Sequence, residues 1–469
     1  VAHRKFATLS QQSIHNAGHV CLSCQLLPHH PSGYAAYLQD RYLLRSHVSL
    51  LPVPLHPGPA PSIILPAFLV GHLVQGFFMV ESLPSGYRFA GLHCGIRADA
   101  QRGDLAVALS ERPAVVAGAF TQNRVRAAPV RLCEARTPSA TARGLIVCAG
   151  NANACTGEQG ERDALRMAER TAARAGIPAE SVLVCSTGVI GRLLPMERVE
   201  AGIERIVPEA TANMVGLEAF ARAILTTDTV SKIVVREIDG VRFLGVAKGA
   251  AMIGPNMATM LAFVFCDAAI APDDLSRLIK RTAARTFNCV RVEGHTSTND
   301  TLLAFANGQG QPLSGDPLAR FAAGLEAVCG ELAQKIAADA EGASHKVTID
   351  VEGCRDDAEA YKIACAVADS PLCKTAIFGA DPNWGRFVSA AGYAGVPFEE
   401  KDLSLWLGDM CLYERGSPLP FDPTTASAYL RNNREVHLRL RFTLGAGRAT
   451  VWTCDLTYDY VKLNADYTT

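Results

Sequence analysis

Thr259 stands at the head of an apolar run, just after the turn-forming Gly254-Pro255-Asn256. Proline fixes φ, while glycine and asparagine tolerate unusual backbone angles, so this is strong turn chemistry. A turn that delivers one hydroxyl to the mouth of an apolar strand suits the presentation of a nucleophile. The same residues also suit an ordinary turn into a core strand. Lys248 is the only charge in the surrounding small-residue stretch, Val246–Phe263. Two further segments carry chemistry-bearing loops: Gly150–Gly157 (GNANACTG) follows the apolar Gly144–Ala149, and Ser186-Thr187-Gly188 follows Val182–Cys185. Backbone N–H groups beside a helix start suit the holding of negative charge, and a pair of tight turns is the plain alternative. The first loop is not a phosphate loop, because no Gly-Lys-Ser/Thr follows at the required place. Glu293–Asp300 (EGHTSTND) is rich in hydroxyls and amides, and reads equally as the lip of an active site or as a capped turn.

The elements that must position these residues are legible in outline. Asp104–Ser110 and Ala114–Phe120 read as strands, with Pro113 and Gly118 as punctuation. Glu158–Ala175 has helical composition and stops at Gly176-Ile177-Pro178. Asn213–Leu225 reads as a helix, and Lys232–Ile238 with Arg242–Val246 as a hairpin about Asp239-Gly240. Pro272–Phe287 is an amphipathic helix that Asp273 or Asp274 is expected to cap. Pro317–Ala340 is a long helix ending in Glu341-Gly342, His345–Val351 alternates as a strand, and Asp356–Ala368 is a further helix.

Length and composition narrow the classes. A chain of 469 residues is long enough for two or three domains, and 49% hydrophobic with 19% charged residues is ordinary for a globular protein. A net charge of -1 leaves no electrostatic footprint for nucleic acid. The 15 cysteines are scattered, and the close pair Cys21 and Cys24 has no second pair at zinc-site spacing, so buried free thiols in a reducing compartment are expected. Residues 1–80 hold eight of the 12 histidines and a single acid, Asp40. Such an acid-poor segment with arginine and serine fits organellar targeting. Ile63–Val80 is apolar but barely of spanning length, and Pro66, Gly71, His72, Gln75 and Gly76 interrupt it, which favours a signal-like or non-native segment over a membrane span. The histidines show no H-x-x-x-H spacing and are not expected to be ligands.

Six motifs then occur in a recognisable order: GNANACTGEQG at 150–160, STGVIG at 186–191, KGAAMIGPNMATMLAF at 248–263, TSTNDT at 296–301, DPNWGR at 381–386 and WTCDLTYDYVKLNADYTT at 452–469. From about Gly86 to Thr469 the chain resembles the glutamate N-acetyltransferase / ornithine acetyltransferase family of arginine biosynthesis, most closely its plant and algal members. The resemblance implies an α/β fold: a layered α-β-β-α sandwich of the N-terminal-nucleophile kind with a smaller C-terminal α/β domain. It implies self-cleavage at Ala258–Thr259, dividing the chain into a targeting or non-core segment 1–85, an alpha chain 86–258 and a beta chain 259–469. Thr259 would become both N-terminal residue and nucleophile. A freed α-amine, which titrates at about 7.7–8.0, would serve as its base.

The implied reaction is ping-pong acetyl transfer from N2-acetylornithine to glutamate, with acetyl-CoA as an optional co-substrate, no cofactor and no metal. Thr187 and Gly188 would form the oxyanion hole. Substrate contacts carry over to Thr226, Lys248, Thr259, Glu341, Asn464 and Thr469, where Lys248 suits a substrate carboxylate and Glu341 the amino end of ornithine. The implied assembly is a heterotetramer of two alpha and two beta chains, without nucleic acid or a stable membrane span. The implied compartment is the chloroplast, with the mitochondrial matrix as alternative. Two departures stand out. Ala251 replaces a family glycine and is expected to crowd the turn before Thr259, and His295 replaces an aspartate. A self-processing amidase or aminopeptidase, with water as acyl acceptor, is the alternative enzyme. An unprocessed, inactive homologue kept as a binding partner is the alternative outside catalysis.

Overall fold

Leu261–Cys266 (LAFVFC) is buried at every position, as an apolar run must be when a sheet is covered on both faces. It is the centre of the architecture. The structure, a computed structural model, describes residues 82–254 and 260–466. Expectations placed on Cys21, Cys24, Ile63–Val80, Ala258, Thr259 and Thr469 therefore lie outside the described residues.

The first sheet is built from β1 (Tyr87–Leu92), β2 (Leu105–Phe120), β3 (Ser139–Asn151), β4 (Val182–Val189), β5 (Lys232–Ile238), β6 (Val241–Lys248) and β7 (Leu261–Cys266). After the short β8 (Val290–Arg291) of the second sheet, β9 (Thr301–Ala306) completes it. The strand order is β4-β3-β2-β9-β7-β6-β5, with β1 paired to the first part of β2. Pro113 was expected to divide β2. Instead the strand continues, and the pairing with β3 slips between Leu109 and Ala114. A slipped register bends a strand, which lets the two halves of the sheet face one another.

The inner layer of this fold is a single core in which Leu145 and Val147 of β3 meet Leu261, Phe263 and Phe265 of β7. The helices lie outside. Of the helices α1 (Ala128–Arg136), α2 (Gly157–Ala175), α3 (Met196–Glu209) and α4 (Met214–Ala223), α2 and α3 cover one outer face, where Met167 and Ile203 pack on Ile146 and Cys148. On the other outer face, α5 (Pro272–Arg285) and α6 (Gly315–Ala338) place Leu275, Ile279 and Val328 against Ala262 and Val264. Alternate residues of β3 and β7 thus serve two cores each, giving the expected α-β-β-α layering. Asp273 and Asp274 sit in the first turn of α5, but the position before Pro272 is Ala271 and no side chain caps it. Both suit the helix dipole, and Asp274 also accepts from the Arg277 guanidinium at 2.6 Å.

The second sheet belongs to the C-terminal part. It uses β10 (Lys346–Cys354), β11 (Ser404–Leu407), β12 (Met410–Glu414), β13 (Ser417–Pro418), β14 (Glu435–Arg441) and β15 (Gly447–Cys454), in the order β13-β12-β11-β14-β10-β15-β8. Val347, Ile349 and Val351 point from β10 into a core shared with α7 (Asp357–Asp369), α8 (Pro371–Phe378), α9 (Trp384–Gly392) and α10 (Pro423–Asn432). The last helix, α11 (Tyr458–Asp466), buries none of its residues. Of the cysteines among the described residues all are free and most are buried, as expected.

Phe265 anchors the inner core, with its ring centroid 5.2 Å from Tyr87, 5.1 Å from Phe89 and 5.3 Å from Phe305. We expect Phe265→Ala to lower unfolding stability by about 3–5 kcal/mol, read from denaturant titration, because the surrounding strands cannot collapse into the void.

Candidate active site

Several chain segments meet at one place. β3 and β4 run parallel and finish side by side, with Ala149 opposite Thr187 and Gly150 opposite Gly188. Gly188 has φ +130°, and a Cβ there would lie 2.3 Å from the Gly150 carbonyl carbon, so only glycine fits this approach. The loop expected after Cys185 is therefore the end of a strand: β4 continues to Val189, and the next helix starts only at Met196. Any donor offered by Thr187 and Gly188 comes from a splayed strand end rather than from a helix N-terminus.

β6 delivers Lys248 to the same place, opposite Leu261 of β7. The lysine is 2% exposed. Burial pulls its pKa down, and the neighbouring Asp228 charge works against that. Asp228 Oδ1 accepts from the Lys232 ammonium at 2.7 Å and from Gly249 N–H at 2.6 Å, while Oδ2 accepts from Thr226 N–H at 3.1 Å. Burial alone would raise this acid, but the Lys248 and Lys232 charges and the Gly249 amide hold it below the usual carboxylate range. Lys232 also donates to Asp339 Oδ2 at 2.6 Å, at the C-terminal end of α6. Two residues further on, Glu341 N–H donates to the Ala250 carbonyl at 2.9 Å.

The C-terminal helix closes the group. Thr457 donates its hydroxyl to the Gly342 carbonyl at 2.5 Å and accepts the Tyr460 N–H at 3.0 Å. This docks α11 so that the Asn464 amide donates to Glu341 Oε2 at 3.3 Å. Burial raises the Glu341 pKa, and the Asn464 amide pulls it back.

The Glu293–Asp300 loop also reaches this place, where it forms part of the cavity wall rather than a mere capped turn. Asn299 Nδ2 donates to the carbonyls of Ala152 at 2.6 Å and Ser186 at 2.8 Å, tying the loop to the ends of β3 and β4. A cavity of about 220 Å³ lies between these segments, and Thr187, Gly188, Thr226, Lys248, Glu341 and Asn464 all line it. These are the expected oxyanion and substrate-contact residues that fall among the described residues. Thr227 lines it as well.

Glu293, Tyr460 and the buried chain Asp228–Lys232–Asp339 were missed by sequence reasoning. Glu293 lay inside a loop that was singled out, Asp228 within Thr-Thr-Asp-Thr at 226–229, and Tyr460 inside the motif at 452–469, without a role assigned to any of them. Burial pushes the Glu293 carboxyl up to about 8, against the pull of the Ile253 amide and the Lys374 charge. A Ser/His/Asp cluster elsewhere does not make a second centre. Ser344 Oγ and Asp455 both meet His345 at Nδ1, at 2.9 and 2.8 Å, and Nε2 faces the Leu430 carbonyl at 2.8 Å. No imidazole nitrogen is left to activate the serine.

With this geometry in place, comparison with known proteins is decisive. The ArgJ family model matches residues 88–469. The chain belongs to the ArgJ family. It is 44% identical over 409 residues to the arginine biosynthesis bifunctional protein ArgJ of Thermosynechococcus vestitus, covering 82% of this chain and 96% of that protein. To the chloroplastic ArgJ bifunctional protein of the moss Physcomitrium patens it is 44% identical over 398 residues, covering 82% of this chain and 76% of that protein. Among solved structures, a crystal structure of the ArgJ bifunctional protein of Bacillus halodurans is 36% identical, with a TM-score of 0.43, over 44% of this chain and 98% of that one.

Within this ArgJ chain the two departures fall at the cavity wall. Ala251 and His295 both line it. Met252, the neighbour of Ala251, is left-handed at φ +59°, while the turn from Pro255 to Thr259 that Ala251 was expected to crowd lies outside the described residues.

The raised Glu293 sets a pH test. Stability from its neutral form is fully present below the ordinary carboxylate range and is lost as pH rises toward about 8. Glu293→Gln cannot ionise. Its melting temperature relative to the wild type is expected to climb between about pH 5 and pH 8.5, measured by thermal unfolding across that range.

Proposed function

We propose that this chain is a self-cleaving acetyltransferase of arginine biosynthesis, moving an acetyl group from N2-acetylornithine to glutamate. The observation that carries this reading is the convergence of Thr187, Gly188, Thr226, Lys248, Glu341 and Asn464 on one cavity. Thr259 lies two positions before Leu261, which pairs with the cavity lysine Lys248. The relatives' shared description as arginine biosynthesis bifunctional proteins supports the same pathway and a second donor, acetyl-CoA, for glutamate.

Cleavage begins when the Thr259 hydroxyl attacks the Ala258 carbonyl carbon. The bond from that carbon to the Thr259 nitrogen breaks, the nitrogen takes the proton, and an ester joins the two residues. Water opens the ester, leaving a carboxylate on Ala258 and a free hydroxyl and α-amine on Thr259. That amine is then the base that activates its own hydroxyl. In transfer, the hydroxyl oxygen bonds to the acetyl carbon and ornithine leaves with the proton on its amine. Glutamate's amine next takes the acetyl group and restores the hydroxyl. Thr187 and Gly188 stabilise the oxyanion in both halves.

The division into chains 86–258 and 259–469 follows from this cleavage. Strand order β2-β9-β7-β6 interleaves strands from both sides of residue 258, so ladder hydrogen bonds hold the pair together after the cut. Pairing of such units into a heterotetramer, and residence in a plastid like the chloroplastic moss relative, complete the proposal. Thr469 joins Asn464 as a substrate contact in it.

Intact mass of the purified protein tests the reading. Two chains should appear, the second beginning at Thr259, and acetylornithine should add one acetyl group to that second chain. Thr259→Ala should remain a single chain and transfer nothing. Thr187→Ala should still fold and lose about 10²–10³ in transfer rate, the typical worth of one oxyanion donor. Free acetate without acetylglutamate would instead identify the amidase alternative.

A further inference from the structure

Two acids at the site, Asp300 buried and Glu293 partly buried, take no part in the chemistry just described. Glu293 and Asp300 stand at opposite ends of the cavity-wall loop, and each is bonded to the backbone of the processing segment. Glu293 accepts the Ile253 N–H. The Ile253 carbonyl in turn accepts from the amides of Val292 at 2.9 Å, Glu293 at 3.3 Å and Gly294 at 3.1 Å. The next residue is pressed against the same turn: a Cβ on Gly254 would lie 2.3 Å from the Gly294 carbonyl carbon. At the other end, Asp300 Oδ1 accepts the Met260 N–H at 3.2 Å, and the Met260 carbonyl accepts Thr301 N–H at 3.1 Å.

One loop therefore grips the chain at 253–254 and again at 260, on either side of the Ala258–Thr259 bond. The loop is itself immobilised. Asn299 ties it to Ala152 and Ser186, and the Thr121 hydroxyl donates to the Ser297 carbonyl at 2.6 Å. The amide tether thus runs on to Thr187, the first oxyanion residue, next in sequence to Ser186.

We infer that Glu293 and Asp300 are positioning residues for self-cleavage, each fixing one flank of the scissile segment by accepting a backbone N–H. The inference rests on the cleavage proposed above. Burial raises the pKa of both acids, and at each position glutamine or asparagine reproduces the oxygen that accepts the backbone N–H.

The test follows conversion of newly made full-length precursor into two chains, by denaturing gel and intact mass, with thermal unfolding against uncleaved Thr259→Ala as the folding control. Glu293→Ala and Asp300→Ala are expected to slow conversion by about tenfold to a hundredfold, from a lost acceptor and a misplaced reacting bond. Glu293→Gln and Asp300→Asn should convert within about threefold of the wild type. Should an alanine variant not fold, Glu293→Asp and Asp300→Glu, which keep the carboxyl but shift its acceptor, take its place with the same slowing expected. Alanine variants that convert at the wild-type rate would overturn the inference. So would folded glutamine and asparagine variants as slow as alanine, since charge and not acceptance would then be at work. A wild-type chain left uncut at Ala258–Thr259 refutes the cleavage reading itself, a different result from either.

Discussion

Asp228 is the charge on which the site's geometry depends. Its carboxylate gathers the Thr226 amide, the Gly249 amide and the Lys232 ammonium in a volume that water does not reach. Thr226 and Lys248 therefore arrive at the cavity together, because the Thr226 amide and the amide that follows Lys248 share one acceptor. Lys232 carries the connection to Asp339, and from there the chain passes to Glu341. Burying such charges is costly, and removing one partner of a buried pair typically costs about 3–5 kcal/mol, since the other is left uncompensated. The alternation of sign from Lys248 through Asp228 and Lys232 to Asp339 is what allows a cation to stand 2% exposed in the cavity wall.

The sandwich supplies the second constraint. Strands β3 and β4 belong to one half of the folded sheet, and β6 and β7 to the other, so their ends meet only because β2 bends between them. The inner core around Phe263 and Phe265 sets the separation of the two halves. The Glu293–Asp300 loop then spans the gap, bonded to β3 and β4 through Asn299 and to the start of β7 through Asp300. Because β8 leads into this loop from the edge of the second sheet, the C-terminal layer also takes part in placing it.

What the sequence disclosed divides along physical lines. Local signals were reliable: the Gly176-Ile177-Pro178 stop closes α2, Asp239-Gly240 turns the β5–β6 hairpin, and the apolar run at 260–266 is a fully buried strand. Ordered motifs located most of the cavity residues, including Asn464, whose distance in sequence from Lys248 no periodicity could bridge. Long-range electrostatics were not legible. Nothing around Lys232 distinguishes it from a surface lysine on an alternating strand, because its partner Asp339 sits 107 residues away. Strand ends failed for a related reason. Gly150 and Gly188 read as loop residues, yet both end paired strands: Gly188 because its backbone approaches Gly150 too closely for a Cβ, Gly150 because its φ is +106° and the Arg97 side chain lies against it.

The electrostatics of the cavity also bear on the choice between transfer and hydrolysis. A buried lysine is expensive to keep charged, and Asp228 is already shared among Lys232 and two amides. An anionic ligand beside Lys248 completes the compensation, and the α-carboxylate of an amino acid is such an anion. In the proposed reaction Glu341, half-buried and bonded to Asn464, is the counterpart for an ammonium group. A neutral Glu293 adds no competing negative charge to the same wall. Water as acyl acceptor would use none of this arrangement. A donor and an acceptor that are both zwitterionic amino acids would use all of it, so the charge pattern of the wall favours acetyl transfer between them.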